Sequence, residues 1–326
     1  MRIVTPARPA KAAFWTALLA TVLVAACSAP SQRVEAPVEA APKPAPAPAA
    51  RAPITFSQLL VRPRAKADLR IAYGPDPLQF GELWLPAGPG PHPVVVLIHG
   101  GCWRADLPGL ELMDYMAADL REGGVAVWNL EYRRLAETGS AYPTTFGDVA
   151  AGVDHLRTLA LPHRLNLRRV VFYGHSAGGH LALWAAARHR LPVGSPLRTP
   201  RPLRPQRVVT LAGINDLAAY RADGPAACGG PDTVNRLVGA PARPAPFADT
   251  SPPELLPVGL PQVVISGELD AIVPSRFGRA YAAAAAGAGD PARHLDLPGA
   301  GHFELIDPTS AAWPAIAREL SAAEAR

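Results

Sequence analysis

Much that would tie a chain to metal, nucleic acid or a bilayer is missing from this one. Its 326 residues hold three cysteines and nine histidines. No spacing among His, Cys, Asp and Glu matches a metal site, so neither a metal nor any other cofactor is expected. Arginines are scattered among prolines, as in Arg198-Thr199-Pro200-Arg201-Pro202-Leu203-Arg204, without interleaved aromatics. That pattern leaves no footprint for nucleic acid. Beyond residue 26 no apolar run is long enough to span a membrane. The abundance of Ala, Pro and Arg reads as a compositional bias rather than a function.

The N-terminus has what the rest lacks. Arg2, Arg8 and Lys11 make a basic start, and Ala12 to Ala26 is an almost unbroken apolar run that ends in Val24-Ala25-Ala26-Cys27. The run is short for a span and its flanks suit a secretory signal. Its ending resembles the lipobox of bacterial lipoproteins, which implies a lipidated Cys27 and an anchor in the cell envelope on the periplasmic side. Ser28, rather than aspartate, after that cysteine goes with outer-membrane sorting. Three of the five units of formal net charge lie in this segment, which leaves +2 for the remainder. From Ala29 to Pro53 alanine, proline and scattered charge dominate, too poor in apolar groups for a core. The expected organisation is therefore a signal over 1–27, a tether over 28–53 and one catalytic domain over 54–326.

Within that domain, apolar runs alternate between strand and helix character. Gln79 to Pro86, Pro93 to His99, Val125 to Leu130, Arg169 to Phe172, Arg207 to Gly213 and Gln262 to Gly267 read as strands, the first antiparallel and most of the others buried on both faces as in a parallel sheet. Helices are expected over 110–122, 148–160, 181–187, 278–286 and 310–323. Such alternation implies an α/β fold with a doubly wound, mostly parallel sheet. The stretch over 217–257, rich in Pro, Gly and Ala, suggests a small cap of short helices and loops.

The informative stretch is Tyr173-Gly174-His175-Ser176-Ala177-Gly178-Gly179-His180. It lies between a buried strand and a helical run, the context that a G-x-S-x-G nucleophile elbow requires. A strained turn there pushes the serine hydroxyl out of the sheet edge, and its neighbours must be small. Upstream, the strand ending at Ile98 runs into His99-Gly100-Gly101-Cys102-Trp103, a loop whose backbone N–H groups can face a ligand. With Ala177, either Gly101 or Cys102 would then complete an oxyanion hole. An acid and a histidine should follow Ser176 in chain order. His302, in a glycine-rich loop, is the candidate base. Asp270 is the candidate acid, with Asp216 and Glu268 as rivals. His175 is expected to turn away from the nucleophile and pack, His180 to be structural, and His99 to make hydrogen bonds beneath the oxyanion loop.

Together with Glu131-Tyr132-Arg133-Arg134, these motifs resemble the α/β-hydrolase superfamily, in its esterase and kynurenine-formamidase-like branch. Roughly residues 75–320 share the resemblance. It implies a serine hydrolase that cleaves small carboxylic esters through an acyl-enzyme, with N-formyl amide hydrolysis as the enzymatic alternative and a non-catalytic binding module as the alternative from another class. The partners implied are a small ester or amide and, through Cys27, a membrane. Hormone-sensitive-lipase-like relatives carry a third glycine where this chain has Cys102. No domain large enough for an oligopeptidase propeller precedes the fold. In an exported protein Cys102, in the oxyanion loop, and Cys228, in the cap stretch, are candidates for a disulfide, which requires their Cα atoms to come within ~7 Å.

Overall fold

A computed structural model of the chain describes residues 52–136 and 138–321. Cys27, the signal over 1–27 and the tether as far as residue 51 lie outside the described residues.

Eight strands are laid down in chain order: β1 (Leu69–Ala72), β2 (Phe80–Trp84), β3 (His92–Ile98), β4 (Ala126–Leu130), β5 (Leu165–His175), β6 (Arg207–Leu211), β7 (Gln262–Gly267) and β8 (Ala292–Leu297). They form one sheet in the order β1-β2-β4-β3-β5-β6-β7-β8. β1 and β2 pair antiparallel, as do β2 and β4, and every later pairing is parallel. Burial follows position. All residues of the central β4 and of β7 are buried, whereas the edge strands β1 and β8 are largely exposed or half-buried. Central strands must therefore be apolar on both faces, which is why they stand out as continuous runs.

The helices are α1 (Phe56–Leu60), α2 (Asp114–Glu122), α3 (Thr144–Asp154), α4 (Leu156–Leu159), α5 (Ala177–Ala187), α6 (Leu217–Asp223), α7 (Gly230–Val238), α8 (Ser275–Gly287) and α9 (Trp313–Ser321). α5 is buried along its whole length. It has no polar face because it lies against β5, β6 and β3 on one side and α3 on another.

Three expectations shift. The helix expected over 148–160 starts earlier, at Thr144, and is divided at His155 into α3 and α4. The one expected from 110 opens as a 3₁₀ turn over Leu110–Met113 before α2 begins. β5 begins at Leu165, before the apolar Val170. Between β6 and β7 the cap consists of α6, α7 and two single 3₁₀ turns, Ala226–Cys228 and Pro252–Leu255.

Candidate active site

Ser176 is the single residue between β5 and α5, with φ 54° and ψ −121°. Left-handed backbone in a residue with a side chain costs free energy, so its surroundings must hold it there. They do so through the main chain. Ser176 N–H donates to the Leu211 carbonyl at 2.9 Å, and the Ser176 carbonyl accepts from Gly179 N–H at 2.9 Å and Ile214 N–H at 3.1 Å. The elbow is thus fastened to the end of β6. A Cβ at Gly178 would collide with the carbonyl oxygens of Ile98 and His99, and one at Gly179 would lie 2.6 Å from Gly213 Cα. These glycines let α5 start directly against the ends of β3 and β6.

The histidine and acid arrive on the loops after β8 and β7. His302 Nδ1 lies 2.7 Å from Asp270 Oδ2. Since the carboxylate accepts, Nδ1 donates, and in the neutral ring Nε2 keeps its lone pair. The other carboxylate oxygen, Asp270 Oδ1, accepts from Ile272 N–H and Val273 N–H, both at 2.8 Å. Asp216, by contrast, caps α6, accepting from the N–H groups of Ala218 and Ala219. Glu268 accepts from Gly299 N–H at 3.0 Å. Of the three carboxylates considered for the acid, Asp270 is the one joined to His302. Among the described residues neither Ser176 Oγ nor His302 Nε2 has a hydrogen-bond partner. Contacts of that kind are commonly long before a substrate arrives.

His175, expected to pack, does more than fill space. Its Nε2–H donates to the His302 carbonyl at 3.0 Å, and the two rings lie 4.5 Å apart. Burial, followed by the neighbouring charge of His302, pushes its pKa well below the usual histidine range, so the ring is neutral. Through it the nucleophile strand grips the histidine loop. Strand alternation alone could not indicate this contact, because the partner lies 127 residues away. His180 is held down to about 4 by burial and donates to the Thr250 carbonyl at 2.8 Å.

The loop after β3 has three successive residues with positive φ: Gly101 (90°), Cys102 (52°) and Trp103 (56°). Two of them carry side chains, and both are anchored. Trp103 is fully buried and meets the His180 ring edge-on at 5.5 Å. Cys102 is disulfide-bonded to Cys228, with the Cα atoms 5.2 Å apart. The N–H groups of Gly101, Cys102 and Ala177 donate to no described residue. Beneath the loop His99 is buried, with Nδ1 2.8 Å from the Gly100 carbonyl and Nε2 3.0 Å from Glu131 Oε1. Tyr132 stacks on that ring at 4.3 Å and donates its hydroxyl to the His99 carbonyl at 2.8 Å. The Glu131-Tyr132 pair therefore serves as the floor of the Gly100-Gly101 loop.

Ser176, Asp270, His302 and the Gly101–Trp103 loop thus all follow the C-terminal ends of parallel strands, where α/β sheets bind ligands. A cleft of about 670 Å³ borders the chain just after the Gly101–Trp103 loop, lined by Arg104, Asp106, Leu135, Asp232, Thr233 and Arg236, and Ser176, Asp270 and His302 are not part of its lining. Among the described residues no group of His, Cys, Asp and Glu could hold a metal ion, and no helix is long and apolar enough to cross a membrane.

The model of the BD-FAE family matches residues 82–283. Among solved structures, a truncated carbohydrate esterase from gut microbiota is similar, at 19% identity and a TM-score of 0.65, covering 81% of this chain and 98% of its own. Esterase B from Lactobacillus rhamnosis is similar at 18% identity and a TM-score of 0.69, covering 82% and 90%. Thermogutta terrifontis esterase 2, in a form phosphonylated by sarin, is similar at 19% identity and a TM-score of 0.62, covering 78% and 92%. No curated protein matches the chain. At these identities the structural likeness establishes the α/β-hydrolase fold.

Proposed function

Because the chain belongs to the BD-FAE family, we propose that it is a serine hydrolase that cleaves small carboxylic esters through an acyl-enzyme. The observation that carries this reading is the 2.7 Å bond between His302 Nδ1 and Asp270 Oδ2, on the sheet edge where Ser176 is held at φ 54°. In the proposed reaction Ser176 Oγ attacks the ester carbonyl carbon and His302 Nε2 takes the hydroxyl proton. Asp270 keeps the ring oriented and stabilises the imidazolium. The carbonyl oxygen becomes an oxyanion, which the N–H of Ala177 and those of Gly101 and Cys102 would bind. Collapse expels the alcohol, which takes the proton from His302. A water molecule then repeats the sequence on the acyl-enzyme and releases the acid.

The fold relatives described as esterases support an ester over a formamide. We infer further that the protein is exported and held at the cell envelope by lipid on Cys27. The Cys102–Cys228 bridge supports export, since cytosolic thiols are kept reduced.

Treating the protein with a fluorophosphonate tests the nucleophile. Labelling should be complete in the wild type and absent in Ser176→Ala, which should also lose hydrolysis of short acyl esters. Labelling that survives in the variant would refute the assignment. Acetylated sugars and N-formylkynurenine, added to the ester panel, rank the substrate classes.

A further inference from the structure

The loop that carries His302 is held from an unexpected direction, by the first described residues of the chain. Glu304 Oε1 accepts from Ile54 N–H at 2.6 Å, and its Oε2 accepts from Gly301 N–H at 3.0 Å. One carboxylate thus joins residues 250 positions apart and fastens the peptide just before His302. Pro53 lies so close to Gly301 that a Cβ there would collide with the proline ring. Phe56 meets Phe303 edge-on at 6.0 Å, and Phe303 meets His302 edge-on at 5.0 Å. The far end of the same segment is pinned as well. Leu59 is fully buried, and the Tyr115 hydroxyl lies 2.7 Å from the Leu59 carbonyl and 3.0 Å from that of Arg62. Arg62 then pairs with Asp307 at 2.6 Å. The loop between β8 and α9 has a single 3₁₀ turn, Glu304–Ile306, as its regular structure. Its position must therefore come from what packs on it, and residues 53–62 contact it at both ends of that turn.

We propose that residues 53–62 form a strap that positions His302, with Glu304 as the positioning residue that fastens it. The proposal rests on the reading of His302 as general base. Positioning errors of about 1 Å can cost on the order of 100-fold in rate, so loosening the strap should act on the chemical step rather than on substrate binding.

The test uses the full chain. Glu304→Ala removes both acceptors and should lower kcat for a short ester at least tenfold, with KM within twofold. The rate of fluorophosphonate labelling at Ser176 should fall by the same factor. Glu304→Gln retains one acceptor and should lie between Glu304→Ala and the wild type. Phe56→Ala leaves Glu304 in place but removes the edge contact, so it should lower both rates in the same direction, and it decides the matter if Glu304→Ala does not fold. Folded variants whose melting temperature drops while kcat and labelling rate stay at wild-type values would overturn the strap and leave the serine hydrolase standing. A wild-type protein that does not label at Ser176 would refute the parent reading and the strap with it.

Discussion

At the scale of single residues, the distinction between Asp270 and its rivals rests on where each carboxylate's lone pairs go. Asp270 accepts from His302 and from two backbone N–H groups. Asp216 gives its acceptor capacity to the first turn of α6. Asp270→Asn should therefore lower kcat by about 10³–10⁴-fold, the scale expected when the group that fixes a histidine tautomer is lost. Asp216→Ala should keep kcat within about twofold and lose about 1 kcal/mol of stability, the usual cost of an N-cap. Kinetics and urea melts on the two variants separate the roles. A large kcat loss in Asp216→Ala, with Asp270→Asn active, would reverse the assignment. Chain order and strand ends favour Asp270 but leave Asp216 as a rival, because the distinction is made by a bond across 32 residues. The contacts of His175 with His302 and of Glu304 with Ile54 were invisible for the same reason. The serine was legible because a strained elbow restricts its immediate neighbours, so the evidence lies within five residues.

At the scale of elements, what could be read was what is buried on both faces. β3, β4, β6 and β7 are central and apolar, so their extents follow from composition with errors of a residue or two. β1 and α1 escaped notice. β1 is an exposed edge of four residues, and α1 is five residues held by a capping box between Thr55 and Gln58. Neither carries the periodicity that a longer amphipathic element would. The junction of β3 with β4 shows how ends of elements, rather than their middles, carry charge. Burial alone would raise the pKa of Glu131. His99, through its charge and its hydrogen bond, and then Arg134, instead hold it down at about 2. A carboxyl group depressed in the folded state contributes stability above its unfolded value near 4.5 and loses it as pH falls through about 2. Glu131→Gln should accordingly destabilise by about 3 kcal/mol near neutral pH, the scale of a broken buried pair. Its deficit relative to wild type should narrow between pH 5 and pH 2. Urea melts across that range check this, and a deficit that is constant or widens with acidity would contradict it.

At the scale of the whole molecule, the sheet brings together residues from four separate loops, and one covalent link ties the first of them to the cap. The Cys102–Cys228 bridge spans a sequence separation of 126. On the chain-entropy account, closing a loop of that length stabilises the fold by about 5 kcal/mol. Reduction with a phosphine should lower the free energy of unfolding by up to that amount, read from the shift of the urea midpoint, and an unchanged midpoint would mean that the bridge acts locally. The bridge also divides the candidate site unevenly. The closed loop runs from the 3₁₀ turn before α2 through α6, so Ser176 and Ala177 lie inside it with Cys102 at its knot, while Asp270 and His302 lie on the chain beyond. The oxidised chain, when denatured, is a ring with two tails. The nucleophile and Cys102 remain loop-mates in that state, and the acid and base on the C-terminal tail must be brought back to them each time the protein folds.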